Sequence, residues 1–264
     1  IAYYPHPKSC IYKLNSRNSY VKVLDSPAKV TKFVIPLRSQ KQNFMKKLVI
    51  FDLDGTLLNT IADLAAATNH ALQHYGYPTH DTDAYRYFVG NGINKLFERA
   101  LPETERTEAN VLKIRSQFIP YYNIHNADLS RPYPGIEQVL HTLQANQILI
   151  GVASNKYQAA TSKLIAQYFP DIQFVEVLGQ REGVPAKPDP QAVLEIMEKA
   201  DVSREDVAYI GDSCVDMETG KNAGVTTIGA SWGFRPRTEL EAYNPDFIAD
   251  EACNILRFLG IPEE

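Results

Sequence analysis

A chain of 264 residues, 44% hydrophobic and 22% charged, is long enough to bury one large core or two smaller ones and has the composition of an ordinary globular protein. The formal net charge of −4 is unevenly spread, because residues 1–44 carry eight Lys or Arg against the single acid Asp25, a local +7 that leaves −11 on residues 45–264. An acidic main body argues against nucleic acid as a partner, no apolar run reaches the roughly 20 residues that span a bilayer, and Cys10, Cys214 and Cys253 form no disulfide or metal pattern, so the expectation is a cytoplasmic protein with no membrane partner.

Residues 1–44 show no sustained helical or strand period. Three readings compete: a basic targeting segment, a nucleic-acid arm, or non-native sequence from an upstream translated region. Pro5, Pro7, Pro27 and Pro36, with more Lys than Arg, count against an amphipathic, Arg-rich transit peptide. Met45 stands directly before the first strong element, so the expectation is that translation starts there and that 1–44 are a non-native or disordered extension.

The apolar run Leu48-Val49-Ile50-Phe51 then ends in Asp52-Leu53-Asp54-Gly55. Four consecutive apolar residues suit a strand covered on both faces, and ligands of open α/β sheets sit beyond the carboxyl ends of such strands. A plain Asp-Gly turn is the alternative. After Thr56 the pattern turns helical. Thr60-Ile61-Ala62-Asp63 has the form of a capping box, followed by a helical face of Ile61, Leu64, Ala65, Thr68 and Leu72 that stops near Gly76-Tyr77-Pro78. Further helices are expected within 82–88, from Ile93 to Ala100 after the loop Val89-Gly90-Asn91-Gly92, and from about Glu105 to Tyr122. Residues 60–128 thus read as a helical unit inserted after the first strand.

From Arg131 strands and helices alternate. Pro134-Gly135 opens a helix ending near Asn146, residues 148–154 form a buried strand, a helix runs through Leu164, and a strand lies near 174–177. The Pro-rich loop 183–190 leads into a helix from Gln191 to about Ala200, then come the strand 207–210, a helix closed by Gly224 and a strand at 226–229. Such alternation specifies a parallel sheet with right-handed crossovers. The expected fold class is α/β, a Rossmann-like parallel sheet core (45–59 and 129–264) with an inserted α-helical cap domain (60–128).

The predicted strand ends collect Asp52 and Asp54, then Ser154, then Asp212 and Asp216, with Lys187 in the Pro-rich loop. Each has a plain alternative: Ser154 as a helix cap, Lys187 as a surface lysine, Asp212 as a turn former, Asp216 as a favourable charge in a first helical turn. Together they put carboxylates, a hydroxyl and a cation at one edge of one sheet. His70 and His74, four apart on one helix, lack a third ligand for zinc and read as a polar face.

In order, Asp52-Leu53-Asp54-Gly55-Thr56, Ser154, Lys187 and Gly211-Asp212-Ser213-Cys214-Val215-Asp216 resemble the four motifs of the haloacid dehalogenase-like phosphohydrolases, a resemblance that covers residues 45–264. Within that superfamily, Asp63-Leu64-Ala65-Ala66-Ala67, Val89-Gly90-Asn91-Gly92, Ala153-Ser154-Asn155-Lys156, Lys187-Pro188-Asp189-Pro190 and Trp232-Gly233-Phe234-Arg235 are most similar to the phosphoglycolate phosphatase group. Asn59 departs from the Asp such sequences often carry, away from the catalytic positions.

The resemblance implies a Mg²⁺-dependent phosphatase that hydrolyses a small phosphate monoester, 2-phosphoglycolate first, through an aspartyl phosphate. Asp52 would be the nucleophile and Asp54 the proton shuttle, while Lys187 and Ser154 would hold the transferring oxygens. Asp52, the Asp54 backbone carbonyl, Asp212 and, more weakly, Asp216 would hold Mg²⁺. Thr56 and Asn155 are further substrate-binding candidates, and Gly90, Asn91, Gly92 and Arg235 are candidate contacts to a substrate anion, the plain alternatives being a flexible loop and a surface ion pair. The expected partner is a small phosphorylated metabolite, with the chain a monomer or homodimer. A sugar phosphomutase of the same superfamily and a non-catalytic phospho-ligand sensor are the competing functions.

Overall fold

The protein is described here by a computed structural model, in which the described residues are 10–13, 20–23 and 46–261. The chain divides into two compact units, Ile1–Phe44 and Met45–Glu264. In the first, β1 (Cys10–Lys13) and β2 (Tyr20–Val23) pair antiparallel, with Cys10 opposite Val23. Four-residue strands are too short to register as a sustained period. The expectation that 1–44 are an extension falls otherwise outside the described residues.

The second unit is built on one six-stranded parallel sheet. In chain order its elements are β3 (Leu48–Phe51), β4 (Leu58–Asn59), α1 (Ile61–His74), α2 (Tyr85–Phe88), α3 (Ile93–Ala100), α4 (Glu108–His125), β5 (Arg131–Pro132), α5 (Ile136–Ala145), β6 (Leu149–Tyr157), α6 (Gln158–Tyr168) and β7 (Phe174–Gln180). There follow α7 (Gln191–Ala200), β8 (Val207–Gly211), α8 (Cys214–Ala223), β9 (Thr226–Ala230), α9 (Arg237–Ala242), β10 (Phe247–Ala249) and α10 (Cys253–Leu259). The sheet order is β10-β9-β8-β3-β6-β7, and every pairing is parallel. The α/β class expected from the alternating pattern is therefore the fold.

β3 sits centrally because all four of its side chains are apolar and fully buried. Val49 and Phe51 join the cluster under α5, α6 and α10, while Leu48 and Ile50 join Val193, Ile196 and Tyr209 on the opposite face. Alternate residues of a strand point to opposite faces, so an unbroken apolar run is what a sheet covered on both sides requires.

The helices α1 to α4 lie between β4 and β5, which pair antiparallel as a two-stranded ribbon, Leu58 opposite Pro132 and Asn59 opposite Arg131. They share a third cluster, in which Leu72, Tyr85, Phe97, Ile114, Phe118 and Tyr122 are fully buried. α4 runs on to His125 through Pro120.

The capping box expected at Thr60 does not form. Thr60 makes no side-chain cap and Asp63 turns away, accepting hydrogen bonds from Leu129 N (3.0 Å), Ser130 N (2.8 Å) and Ser130 Oγ (2.6 Å). The pattern was right for a cap, but three donors of the returning linker offer the carboxylate more than the start of α1 does. Among the described residues no helix is long and apolar enough to cross a membrane.

Candidate active site

Three neighbouring strands deliver the candidate residues to one edge of the sheet. Asp52 follows β3 and its N–H continues the ladder to Ile210 O (2.8 Å). Asp212 follows β8, and Ser154 to Lys156 lie in β6, which extends further than the expected 148–154. Gly55 holds φ +88°, and a Cβ there would stand 2.2 Å from Asp212 Oδ2. A side chain is thus excluded both by conformation and by the acid behind it. Gly211 is constrained by close approach alone, since Asp216 Cγ would lie 2.2 Å from an added Cβ.

Charge is concentrated and buried. Lys187 Nζ stands 2.9 Å from Asp52 Oδ1, 2.7 Å from Asp216 Oδ1 and 2.9 Å from the Tyr209 hydroxyl. Burial, reinforced by Asp216 and Asp54, pushes the Asp52 carboxyl up to about 6 against the pull of Lys187. Burial, with Asp216 and Asp52, also holds Asp212 well above the usual carboxylate range, although the Phe234 N–H donates to its Oδ2 at 2.6 Å. Burial alone would lower Lys187, but Asp216 and Asp52 outweigh it and hold the ammonium well above its ordinary value.

Asp52, Asp212 and Asp216 each offer an oxygen within 4.8 Å of the others, a hard, anionic donor set short of positive charge. That chemistry fits Mg²⁺. Asp216 is the most engaged of the three: Oδ1 accepts from Lys187 and Tyr209, and Oδ2 from Ser213 N and Ser213 Oγ in a capping box that starts α8.

The site opens into a chamber of about 50 Å³ whose far wall is apolar, made by Leu64, Val89, Ile93, Leu96 and Phe118 of the helical insert. Asp52, Asp54, Ser154, Asn155, Asp212, Gly90, Gly92 and Arg235 all line it. Thr56 is fully buried, its hydroxyl without a partner and its carbonyl held by the Trp232 indole N–H at 3.1 Å.

The Asn155 amide is engaged three times. It accepts from Lys187 N (2.8 Å) and donates to Lys187 O (3.0 Å) and Gly90 O (2.9 Å), fixing the lysine loop to the insert. Arg235 donates to Val89 O (3.1 Å), stacks over Tyr87 and faces Glu239. Asn91 does not line the chamber, because its carbonyl oxygen is held by Arg99 at 2.7 Å on the outer side. His70 stacks on Tyr121 and His74 packs edge-on against Tyr75, neither within an acid or thiol cluster among the described residues.

Sequence reasoning passed over three residues around Asp54. Thr60 Oγ1 donates to Asp54 Oδ1 at 2.6 Å, Lys156 Nζ lies 3.1 Å from both Asp54 oxygens, and the Tyr122 hydroxyl accepts from the same Nζ at 2.7 Å. Ser154 and Lys156 are two apart on an extended strand and share a face. Recognising that β6 continues past Ser154 would have found the lysine.

Comparison with known proteins agrees with this geometry. The family model for haloacid dehalogenase-like hydrolase matches residues 49–230. A phosphoglycolate phosphatase of Vibrio parahaemolyticus is 33% identical over 220 residues, 81% of this chain and 96% of that protein. One from Agrobacterium fabrum is 34% identical over 216 residues, 78% of this chain and 89% of its own. A crystal structure from Lactobacillus delbrueckii subsp. bulgaricus superposes with a TM-score of 0.76 at 30% identity, covering 82% of this chain and 100% of that one. The buried carboxylates at adjacent strand ends, the family match and these relatives lead to one conclusion: the chain belongs to the haloacid dehalogenase-like hydrolase family and is a phosphoric monoester hydrolase.

Proposed function

We propose that the enzyme hydrolyses 2-phosphoglycolate in two steps through a phosphoryl group carried on Asp52. One observation carries the reading: Asp52 and Asp54 line a single small chamber, the first paired with a buried Lys187 and the second held by Thr60 and Lys156. An oxygen of Asp52 attacks phosphorus and the bond to the ester oxygen breaks, while Asp54 gives that oxygen its proton. Water then attacks the acyl phosphate, Asp54 takes the proton, and free Asp52 and inorganic phosphate result. Lys187, Ser154 Oγ and N–H groups of the turn at Thr56 hold the phosphoryl oxygens.

Asp52, Asp212 and the Asp54 carbonyl would hold Mg²⁺, which would offset the carboxylate charge and help orient the phosphoryl group. Asp216 acts through Lys187 and Ser213, which occupy both its oxygens. The insert works as a cap that excludes bulk water. A chamber of a few water volumes favours a two-carbon leaving group over a hexose, in line with the names of the relatives.

The test is release of inorganic phosphate from 2-phosphoglycolate with and without Mg²⁺, in the wild type and in Asp52→Asn. Release that needs both the metal and Asp52 supports the reading. Undiminished turnover by Asp52→Asn overturns it. Supplying a hexose 1-phosphate separates hydrolysis from phosphomutase chemistry by whether free phosphate or an isomer accumulates.

A further inference from the structure

We propose that Lys156, assisted by Tyr122, binds the carboxylate of the substrate, and that this pair selects phosphate esters whose leaving group carries an acid on the carbon next to the ester oxygen. The proposal rests on the reading above, in which Asp54 is the proton donor.

Lys156 is a buried cation that holds Asp54 and is given no contact to the substrate by the phosphoryl chemistry. Its side chain is only 3% exposed, yet it lines the chamber. Burying an ammonium is costly unless it is paired and hydrogen-bonded. Here it donates to both oxygens of Asp54 and to the Tyr122 hydroxyl, and lies 4.7 Å from the centre of the Tyr122 ring. Tyr122, fully buried in α4, accepts from Lys156 and keeps its own O–H to donate.

The position of a substrate acid follows from covalent geometry. In an ester of the form phosphate–O–CH₂–COO⁻ the carboxyl oxygens lie roughly 3 Å from the ester oxygen. The proton donor must itself come within roughly 3 Å of that ester oxygen. The substrate carboxylate is therefore forced close to Asp54, where it repels the charge that Asp54 gains on giving up its proton unless a cation lies between them. Lys156 already stands at hydrogen-bond distance from Asp54, with Tyr122 beside it.

Of the other cations, Lys187 does not line the chamber and faces Asp52 and Asp216. Arg235 lines it but is held by Val89 O and Glu239, away from Asp54. The apolar wall of Leu64, Val89, Ile93, Leu96 and Phe118 offers an acid nothing.

The experiment compares kcat/KM for 2-phosphoglycolate with that for 2-hydroxyethyl phosphate, which replaces the carboxylate by a neutral hydroxymethyl group. The wild type is expected to prefer the acid, and Lys156→Met to collapse the preference by roughly 100-fold, since the substrate charge then enters without a partner. Tyr122→Phe should reduce it by about fivefold. A wild-type preference that survives Lys156→Met, with both esters slowed equally, overturns the assignment and leaves Lys156 as a residue that positions Asp54. A wild type that hydrolyses both esters without preference overturns the 2-phosphoglycolate reading and the proposal with it. Lys156→Gln, which keeps a hydrogen-bonding head, serves in place of Lys156→Met if the latter does not fold, and is expected to give the same collapse.

Discussion

The two walls of the chamber are built on opposite principles. On the sheet side nearly every polar atom is committed: Lys187 to Asp52, Asp216 and Tyr209, Asn155 to the Lys187 backbone, Asp212 to Phe234 N–H. On the helical side the lining is largely apolar and includes Phe118 stacked on Tyr122, with Phe97 behind it, edge-on to Phe118. A preorganised charged wall fixes what reaction occurs, because its dipoles need no rearrangement as charge develops. An apolar wall fixes what can sit there. Damage to the charged side should therefore act first on rate, and damage to the apolar side on stability or choice of substrate.

Asp54→Asn strikes the charged wall and should have the largest effect. It should lower kcat about 10³-fold with an alkyl phosphate, equivalent to about 4 kcal/mol of barrier, and should also lower the melting temperature, because the buried Lys156 loses its counter-charge. Steady-state kinetics beside a thermal melt check both halves.

Phe97→Ala strikes the other side. Phe97 is fully buried in the insert cluster without lining the chamber, so its loss should cost about 3 kcal/mol of stability. Hydrogen exchange should localise that loss to α1, α3 and α4, and kcat for p-nitrophenyl phosphate should change by less than about threefold. A loss of turnover as large as that of Asp54→Asn would erase the distinction between the walls.

A smaller effect concerns protons and metal. Burial pushes the Asp52 carboxyl up to about 6, against an ordinary 3.8. Its folded value is raised, so its contribution to stability is present below about pH 4 and is lost as the pH rises through about 6. Mg²⁺ held there as proposed would have to displace that proton and any on Asp212, whose carboxyl is also raised, so its affinity should fall at least about tenfold for each pH unit below 6. Calorimetric titration at pH 5 and pH 7.5 measures this; equal affinities would remove Asp52 from the metal site. The smallest change is Thr60→Val, which takes one hydrogen bond from Asp54 while Lys156 remains, and should lower kcat about fivefold.

How much of this was legible in the sequence follows from the same division. Asp52 and Asp212 could be read because each ends a buried apolar run, and a parallel sheet gathers strand ends. Lys187 has no such local signal. It sits in a Pro-rich loop, and the family motif was needed to distinguish it from a surface lysine. Lys156 was hidden by the length of β6: the run 148–154 ends in apolar and small residues, and the pairing of Tyr157 with Gln180 that carries the strand onward is a tertiary contact. Thr60 and Asp63 were legible as a pattern and misread in role, since the competing donors, Leu129 and Ser130, lie more than sixty residues away. Asn91 was drawn toward the chamber by its flanking glycines, whereas Arg99, eight residues on, holds its side chain on the outside.

The β4–β5 ribbon makes the helical insert a detachable module. Its exit and return are neighbours across one antiparallel pair, Asn59 opposite Arg131, and backbones so paired are about 5 Å apart. A two-residue hairpin turn could therefore close the chain there without moving any strand of the six-stranded sheet. Among the described residues, Ala160 and Phe234 are the sheet-side members of the insert's buried cluster, with Tyr157 packed against it, so such an excision would bare little apolar surface, while Asn155, Lys156 and Arg235 would lose Gly90, Tyr122 and Val89 as partners. Lineages could exchange one lid for another by recombination at these two points, keeping the phosphoryl machinery while replacing the means of recognition.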